Sequence, residues 1–186
     1  MERIKSVFLH SRSERRYSDK KLDSFVIEEI IEMAGQAPSG LNRQPWLYVV
    51  VLNKDLKKEI RNECERVESE YYQNLKRERD REFKEIGITI KKSFLTDAPA
   101  LVCLFGKKSE PYFRESVWLS VGWFIIAAGT KSLSTLTYTP HKMDFLNRIL
   151  NINREYQPEV ILPLGYGTKK GLKKRKSPKE IMRFYE

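Results

Sequence analysis

The sequence predicts one domain of mixed fold class, α+β or α/β, because helical patterns and short apolar strand patterns alternate along the chain. Its 186 residues, 40% of them hydrophobic, suffice for one full hydrophobic core and are too few for two comfortable domains. Neither an internal repeat nor a low-complexity linker interrupts the pattern. No apolar run reaches the length of a membrane span, so we expect a globular protein without a membrane segment.

The first elements are predicted from apolar periodicity and capping residues. Residues 3–11 are expected to form a short helix. Asp23 and Ser24 can cap a second helix that ends near residue 34 and carries an apolar stripe. Residues 46–52 are a continuous apolar run rich in β-branched side chains, which is typical of a buried strand.

A long charged segment, residues 56–83, has the period of a helix. Its apolar residues follow one another in steps of three and four and so share one face: Leu56, Ile60, Cys64, Val67, Tyr71 and Leu75. Ile86, Ile90 and Phe94 continue a helical period until Pro99 stops it, with a break plausible at Gly87.

The second half of the chain alternates in the same way. Residues 100–105 and 160–164 are predicted to be buried strands, and residues 135–139 a short strand. Residues 143–150 are predicted to form a short helix. The helix predicted at 116–128 is apolar nearly all round, so it should be central and partly an interface.

Cysteine usage indicates a reducing compartment. Cys64 and Cys103 stand far apart, and they form neither a Cys-x-x-Cys pair nor a disulfide framework. We therefore expect a cytoplasmic protein in which Cys103 is a small core residue. No metal site is predicted.

The net charge of +10 is concentrated towards the end of the chain, in the lysine-rich run 169–176. Such a run is typical of proteins that bind nucleic acid, an anionic surface or a phosphorylated cofactor, and it also occurs as a solvated tail. No recognition-helix or RNA-binding pattern accompanies it, which makes a nucleic-acid-binding module the least supported of these readings.

A segment near the N-terminus suits a phosphate. Arg12, Arg15 and Arg16 can present two guanidinium groups on one side, with the Ser13 hydroxyl between them. Arginine offers planar, permanently charged, bidentate donors that match phosphate oxygens better than lysine does. An ordinary charged surface loop is the alternative.

A second segment, residues 37–46, links a predicted helix to a predicted strand. It is rich in Pro, Ser, Gly and Asn, so it must turn and leave backbone N–H groups available. The N–H groups of Ser39 and Gly40 and the Asn42 side chain can donate to a ligand, and Gly40 permits a close approach of the backbone. A tight helix-to-strand connection is the alternative.

Together, these two segments closely resemble the Arg-Ser-x-Arg and Pro-Ser-x-x-Asn-x-Gln-Pro-Trp elements of the FMN-dependent nitroreductase superfamily. The resemblance runs from Arg12 to Ile181. It implies a nitroreductase-like α+β fold, with a central, mostly antiparallel sheet flanked by helices, assembled as an intertwined homodimer with FMN at the subunit interface. The loop of one subunit would reach the flavin held mainly by the other.

The resemblance also implies residue roles. Arg12 and either Arg15 or Arg16 would contact the FMN phosphate, and Arg175, in a segment similar to the Lys-Arg-Lys-Pro of one branch, would close over it. The other residues assigned to the cofactor are Ser13, Pro38, Ser39, Gly40, Asn42, Thr137, Tyr138 and Thr139.

Residues 135–140, Thr-Leu-Thr-Tyr-Thr-Pro, are similar to the Thr-Val-Thr-Thr-Thr-Pro stretch of the iodotyrosine deiodinase branch. In that branch a threonine hydroxyl bonds flavin N5, which favours one-electron steps. Thr137 and Thr139 are both candidates for this catalytic position. His10 and His141 are assigned surface or capping roles.

The same branch has a charged helical lid whose Glu, Tyr and Lys bind the zwitterion of a halotyrosine. Lys92 and Tyr71 stand at the family's distances, but Val67 occupies the position expected for Glu. A shift of one residue restores the trio with Glu68 and Tyr72. Leu41 completes the expected substrate contacts. We expect one domain over residues 1–186, with the lid at about 56–96 and a C-terminal arm at about 166–186.

The resemblance implies an FMN-dependent oxidoreductase that reduces an aromatic acceptor (nitro, quinone or a halogenated phenol such as halotyrosine) with electrons from NAD(P)H or another reductant. A flavin-binding or storage protein without turnover is the alternative. A nucleic-acid-binding module is a weaker one.

Overall fold

The computed structural model describes residues 2–73, 81, 83, 89–168 and 175–185, and an antiparallel sheet lies at its centre. The four strands of this sheet are β1 (Trp46–Val51), β2 (Ala100–Lys107), β3 (Ser134–Thr135) and β4 (Tyr156–Gly165). They pair in the order β1-β2-β4-β3, and every pairing is antiparallel. The predicted fold class is therefore confirmed as α+β with an antiparallel sheet.

Helices cover both faces of the sheet. In the described part of the chain they are α1 (Glu2–His10), α2 (Ser24–Gly35), α3 (Lys54–Gln73), α4 (Phe94–Asp97), α5 (Phe113–Thr130), α6 (Phe145–Ile149) and α7 (Pro178–Ile181), and a 3-10 turn lies at Gly40–Asn42. Alternate side chains of β2 enter opposite cores: Val102 and Leu104 pack with α2 and α5, whereas Cys103 and Phe105 pack with α3 and α6.

Several elements follow the sequence-based prediction closely. The Asp23 carboxylate caps α2 by accepting the N–H of Phe25 at 3.0 Å. Helix α5 is central, as its apolar sequence predicts, yet Trp118, Leu119 and Trp123 form an exposed apolar row on it. None of the described helices is both long and apolar enough to cross a membrane.

The helix predicted to run through Ile90 to Pro99 is wrong in its first part. Residues 89–93 are not helical, and α4 begins only at Phe94. The N–H of Lys92 donates instead to the carboxylate Oε1 of Glu65 at 2.7 Å. A partner from α3 thus replaces the helical hydrogen bond. Leu75, Ile86, Gly87 and the lysines of 169–174 lie outside the described residues.

The strand predicted at 135–139 is also wrong in its extent. Strand β3 ends at Thr135, and Tyr138 alone rejoins β4, through a pair of backbone hydrogen bonds with Ile161 at 3.0 and 2.9 Å. Thr137 and Thr139 are exposed on either side of this bridge. They are therefore held at fixed positions without belonging to the sheet ladder.

Candidate functional site

A cavity that we call the main cavity lies between the predicted lid and the segment that follows β3. Its volume is about 510 Å³, and its walls come from α3, from residues 89–94 and from residues 136–141, with Arg15 at one side. All four lid residues that the sequence assigns to the substrate line this cavity: Glu68, Tyr71, Tyr72 and Lys92.

A buried ion pair forms one wall of the main cavity. The Lys92 ammonium lies 3.3 Å from the Glu68 carboxylate, and only 4% and 9% of these side chains are exposed. The same ammonium donates to the carbonyl of Thr89 at 2.6 Å and to the Tyr72 hydroxyl at 3.4 Å. Burial lowers the pKa of Lys92, and the Glu68 charge opposes that shift. Burial raises the pKa of Tyr72, and Glu68 raises it further.

The phase of α3 explains why Glu68 joins this wall. Val67 is buried in the core beside Ile60 and Cys64, while the next residue, Glu68, turns towards Lys92. The one-residue shift considered from the sequence thus brings Glu68, Tyr72 and Lys92 together. Tyr71 lies beside them and stacks on His141, with ring centroids 4.5 Å apart.

His141 is a cavity residue that sequence reasoning missed. It is exposed, as predicted, but it also lines the main cavity through its stack on Tyr71. Only the three-dimensional packing of α3 against residues 136–141 brings the two rings together.

A smaller cavity is lined by residues from near both ends of the chain. Its volume is about 180 Å³, and Arg12, Ser13, Thr135, Thr137 and Arg175 are among its walls. We call it the clamp cavity. The Thr135 hydroxyl is buried there and makes no hydrogen bond within the described residues. A buried hydroxyl without a partner and two arginines in one cavity lining suit an anionic ligand that offers acceptor oxygens.

Thr137 borders both cavities. It lines both the clamp cavity and the main cavity, as does the neighbouring Leu136, whereas Thr139 lines the main cavity alone. An elongated ligand with its anionic end in the clamp cavity would therefore pass Thr137 on its way to the Glu68–Lys92 wall.

A buried carboxylate organises the N-terminal arginines. Glu14 is 1% exposed, and its Oε1 accepts the backbone N–H groups of both Arg15 and Arg16 at 2.9 Å. Arg15 faces the main cavity, while Arg16 is exposed and its carbonyl accepts the N–H of Thr168 at 3.1 Å. The structure therefore groups Arg12, Ser13 and Arg175 in one cavity and places Arg15 next to the other. The sequence analysis did not identify Glu14 as a site residue, because a charged side chain in a loop is ordinarily expected at the surface.

The loop at 38–44 packs against the start of α5 and lines neither cavity. The N–H of Gly40 donates to the Ser116 hydroxyl at 3.1 Å, so it is already bonded. A Cβ at Gly40 would lie 2.8 Å from the Tyr112 ring, so the need for glycine comes from this packing. Leu41 and Asn42 have positive φ, and Leu41 is 77% exposed. Pro38 is exposed, and the Ser39 hydroxyl accepts the N–H of Gln44 at 2.9 Å.

Tyr138 faces away from the clamp cavity. Its ring meets Phe94 edge-on at 5.2 Å, and the Lys92 ammonium lies 5.6 Å from its centroid. Its hydroxyl is buried without a conventional hydrogen bond among the described residues, beside the Cys64 thiol, which is a weak partner. Burial raises the pKa of Tyr138 strongly.

Comparison with known proteins gives consistent results. Residues 10–166 match the model of the nitroreductase family. An iodotyrosine deiodinase of Thermotoga neapolitana is 39% identical over 152 residues, which are 82% of each chain. One from Haliscomenobacter hydrossis is 33% identical over 168 residues, covering 84% of this chain and 76% of the other.

A solved structure also matches over almost its whole length. The crystal structure of oxidized iodotyrosine deiodinase bound to FMN and 3-iodo-L-tyrosine superposes with a TM-score of 0.91. The two chains are 34% identical, and the match covers 98% of each.

Proposed function

Because the chain belongs to the nitroreductase family, we propose that it is an FMN-dependent oxidoreductase that removes halide reductively from a halotyrosine. The observation that carries the proposal is that the clamp cavity and the main cavity lie next to one another, with Thr137 in the lining of both. This arrangement would place the FMN phosphate in the clamp cavity, the flavin ring beside Thr137 and the amino-acid group of the substrate at the Glu68–Lys92 wall.

FMN suits the clamp cavity. Arg12 and Arg175 would hold its phosphate, since guanidinium groups bind phosphate oxygens with charge-assisted hydrogen bonds. Ser13 and the unpaired Thr135 hydroxyl would donate to the remaining oxygens. Once bound, the flavin supplies the electron chemistry of the reaction.

Thr137 would serve the flavin ring. A hydroxyl can both donate and accept, so it can adjust to a ring nitrogen that gains a proton on reduction. We favour Thr137 over Thr139 for this catalytic role because Thr137 borders both cavities. Both side chains are exposed and hence accessible to a ligand.

The Glu68–Lys92 wall would recognise the amino-acid end of the substrate. In the absence of a ligand the two charges satisfy one another. A zwitterionic substrate can replace this pairing. Its carboxylate would face Lys92 and its ammonium would face Glu68, so neither buried charge would be left unpaired. The Tyr72 hydroxyl would add a hydrogen bond to the carboxylate.

We further propose that the site is completed in a homodimer. Exposed apolar side chains lie on α5, at the loop and on the arm: Trp118, Leu119, Trp123, Leu41, Ile181, Phe184 and Tyr185. Such a surface favours burial against a second copy. The partner's loop 38–42, which lines neither cavity of its own chain, would then cover the clamp cavity. The free state of both cysteines supports a cytoplasmic location.

An anaerobic assay tests this function. FMN-loaded protein, reduced with dithionite, is mixed with 3-iodo-L-tyrosine, and iodide and tyrosine are measured. The proposal predicts equal amounts of both, with the flavin oxidised in parallel. A flavin-loaded protein that releases no iodide would support the storage alternative instead.

A further inference from the structure

The Lys92 ammonium lies against aromatic rings as well as against hydrogen-bond acceptors. An ammonium has three N–H donors, and three acceptors lie near this one: the Glu68 carboxylate at 3.3 Å, the Thr89 carbonyl at 2.6 Å and the Tyr72 hydroxyl at 3.4 Å. The ammonium also lies over two rings, 5.4 Å from the centroid of Tyr72 and 5.6 Å from that of Tyr138. Both distances fall within the range of about 6 Å at which a ring face attracts a cation.

Tyr138 is held in place by its backbone and by its ring. Its N–H and carbonyl form the bridge to Ile161 of β4, at 3.0 and 2.9 Å. Its ring meets that of Phe94 edge-on, and Phe94 is itself buried at the start of α4. Lys92, by contrast, has a long, flexible aliphatic stem, so its ammonium stays in one place only where its surroundings hold it. The Tyr138 ring offers a fixed surface for that purpose.

A ring face can hold a lysine without neutralising it. Burial raises the pKa of Tyr138 strongly, so the phenol stays uncharged. A second carboxylate beside Lys92 would also hold the ammonium, but it would repel the carboxylate of an amino-acid substrate. The ring attracts the cation through its quadrupole and leaves the charge available to the substrate. This attraction persists when a substrate carboxylate replaces Glu68 as the partner of Lys92.

The ring of Tyr138 also departs from the sequence pattern of the deiodinase branch. In Thr-Val-Thr-Thr-Thr-Pro, to which residues 135–140 are similar, the fourth residue is threonine, which has no ring face. We propose that Tyr138 is a positioning residue, which fixes the Lys92 ammonium and thereby makes the site specific for halophenols that carry an amino-acid group. This proposal rests on the proposed function, because it takes Lys92 as the group that receives the substrate carboxylate.

The test compares 3-iodo-L-tyrosine with ortho-iodophenol, using FMN-loaded protein reduced with dithionite. The measured quantity is the specificity ratio, which is kcat/KM for the iodotyrosine divided by kcat/KM for the iodophenol, so a general effect on the flavin cancels. In Tyr138→Leu we expect this ratio to fall at least about fivefold, mainly through a higher KM for the iodotyrosine. Tyr138→Phe keeps the ring face and should retain the ratio. Tyr156→Leu, the same change at a half-buried tyrosine outside the lining of the main cavity, is the matched control and should leave it unchanged.

A double-mutant cycle measures the contact between Tyr138 and Lys92 without turnover. Lys92→Met is combined with Tyr138→Leu and, separately, with Tyr138→Phe, and denaturant unfolding is followed by circular dichroism. The cycle with Tyr138→Leu should show a coupling of at least about threefold in the unfolding equilibrium constant. The cycle with Tyr138→Phe should show none, because phenylalanine keeps the face that attracts the ammonium.

The outcomes separate this proposal from the proposed function. Iodide release with an unchanged specificity ratio in Tyr138→Leu would overturn the role of Tyr138 and leave the proposed function standing. An equal fall of the ratio in Tyr138→Phe, or no coupling in the cycle with Tyr138→Leu, would overturn that role as well, because the ring face would not be responsible. If the unmodified protein released no iodide from 3-iodo-L-tyrosine, the proposed function would be contradicted, and the specificity role of Tyr138 with it.

Discussion

The Lys92 ammonium and the Glu68 carboxylate face each other at 3.3 Å in a wall that excludes most solvent. A buried ion pair adds little net stability, because removing both charges from water costs about as much as their attraction returns. The pair is therefore better explained by recognition. It holds two opposite charges ready beside a cavity that can admit a zwitterion.

Glu68→Gln should weaken the use of 3-iodo-L-tyrosine by at least about tenfold in kcat/KM, since one charge-assisted contact is worth about 1.5–3 kcal/mol. A halogenated phenol without the amino-acid group should react equally well with both proteins. Glu28→Gln, on an exposed face of α2, is the matched control. If Glu68→Gln and the unmodified protein had equal kcat/KM for 3-iodo-L-tyrosine, this role of Glu68 would be contradicted.

The stability of the same pair gives a second prediction. Glu68→Gln leaves Lys92 buried without its partner and should lower the free energy of unfolding by about 3 kcal/mol. The double variant with Lys92→Met should recover most of that loss but should not recover iodotyrosine turnover. Denaturant unfolding followed by circular dichroism measures both variants.

The clamp cavity predicts a phosphate-specific effect. Arg12→Ala together with Arg175→Ala should abolish FMN retention while leaving a folded protein, because each guanidinium contributes charge-assisted bonds to the phosphate. Riboflavin, which has no phosphate, should bind the variant and the unmodified protein with similar affinity. Lys176→Ala is the control on the same exposed segment. An undiminished yellow colour in the double variant would count against the clamp.

Glu14 should act as a positioning residue for the arginines. Glu14→Ala leaves two backbone N–H groups without their acceptor, which should cost about 2–4 kcal/mol of unfolding free energy and weaken FMN more than riboflavin. Glu14→Gln keeps an acceptor oxygen at this position and should be mild in both respects. If Glu14→Ala lowered FMN and riboflavin affinity equally, its role would be only structural.

Tyr17 gives a pH-dependent prediction. Burial raises the pKa of Tyr17, and the Glu14 carboxylate raises it further, so the fold favours the neutral phenol. Its contribution to stability is complete below pH of about 10, the ordinary tyrosine value, and is lost as pH rises further, because the unfolded phenol ionises first. The difference in unfolding free energy between the unmodified protein and Tyr17→Phe should therefore shrink above that pH.

At neutral pH, two tyrosines should differ. Tyr17 donates its hydroxyl towards the carbonyls of Glu14 and Pro163 at 3.1 and 3.2 Å, so Tyr17→Phe should cost about 1 kcal/mol. Tyr138→Phe removes a hydroxyl without a conventional partner and should be nearly neutral. If Tyr138→Phe lost more unfolding free energy than Tyr17→Phe, the description of the Tyr138 hydroxyl as lacking a conventional partner would be contradicted.

Local patterns predicted the elements whose neighbours along the chain determine them. The apolar runs predicted as strands at 46–52 and 100–105 correspond to β1 (Trp46–Val51) and β2 (Ala100–Lys107), and Asp23 caps α2. The prediction failed at residues 89–93, where a distant partner decides the local structure. Glu65 accepts the N–H of Lys92, and these residues are not helical.

The arrangement of the candidate site depends even more on residues that are far apart in the sequence. The resemblance suggested that Arg12 and Arg175 belong together, and both line the clamp cavity. Helical periodicity placed Val67 in the core, but the burial of Glu68 follows from Lys92, 24 residues further along the chain. Glu14 and His141 gave no local signal, because charged and aromatic residues in loops are ordinarily solvated.

The most direct test of the account is the amount of FMN bound per chain in the purified protein, measured by absorbance together with the molar mass in solution. We predict a yellow homodimer with one FMN for each chain, which loses its colour in the Arg12→Ala, Arg175→Ala variant. A colourless monomer that takes up no added FMN would contradict the account.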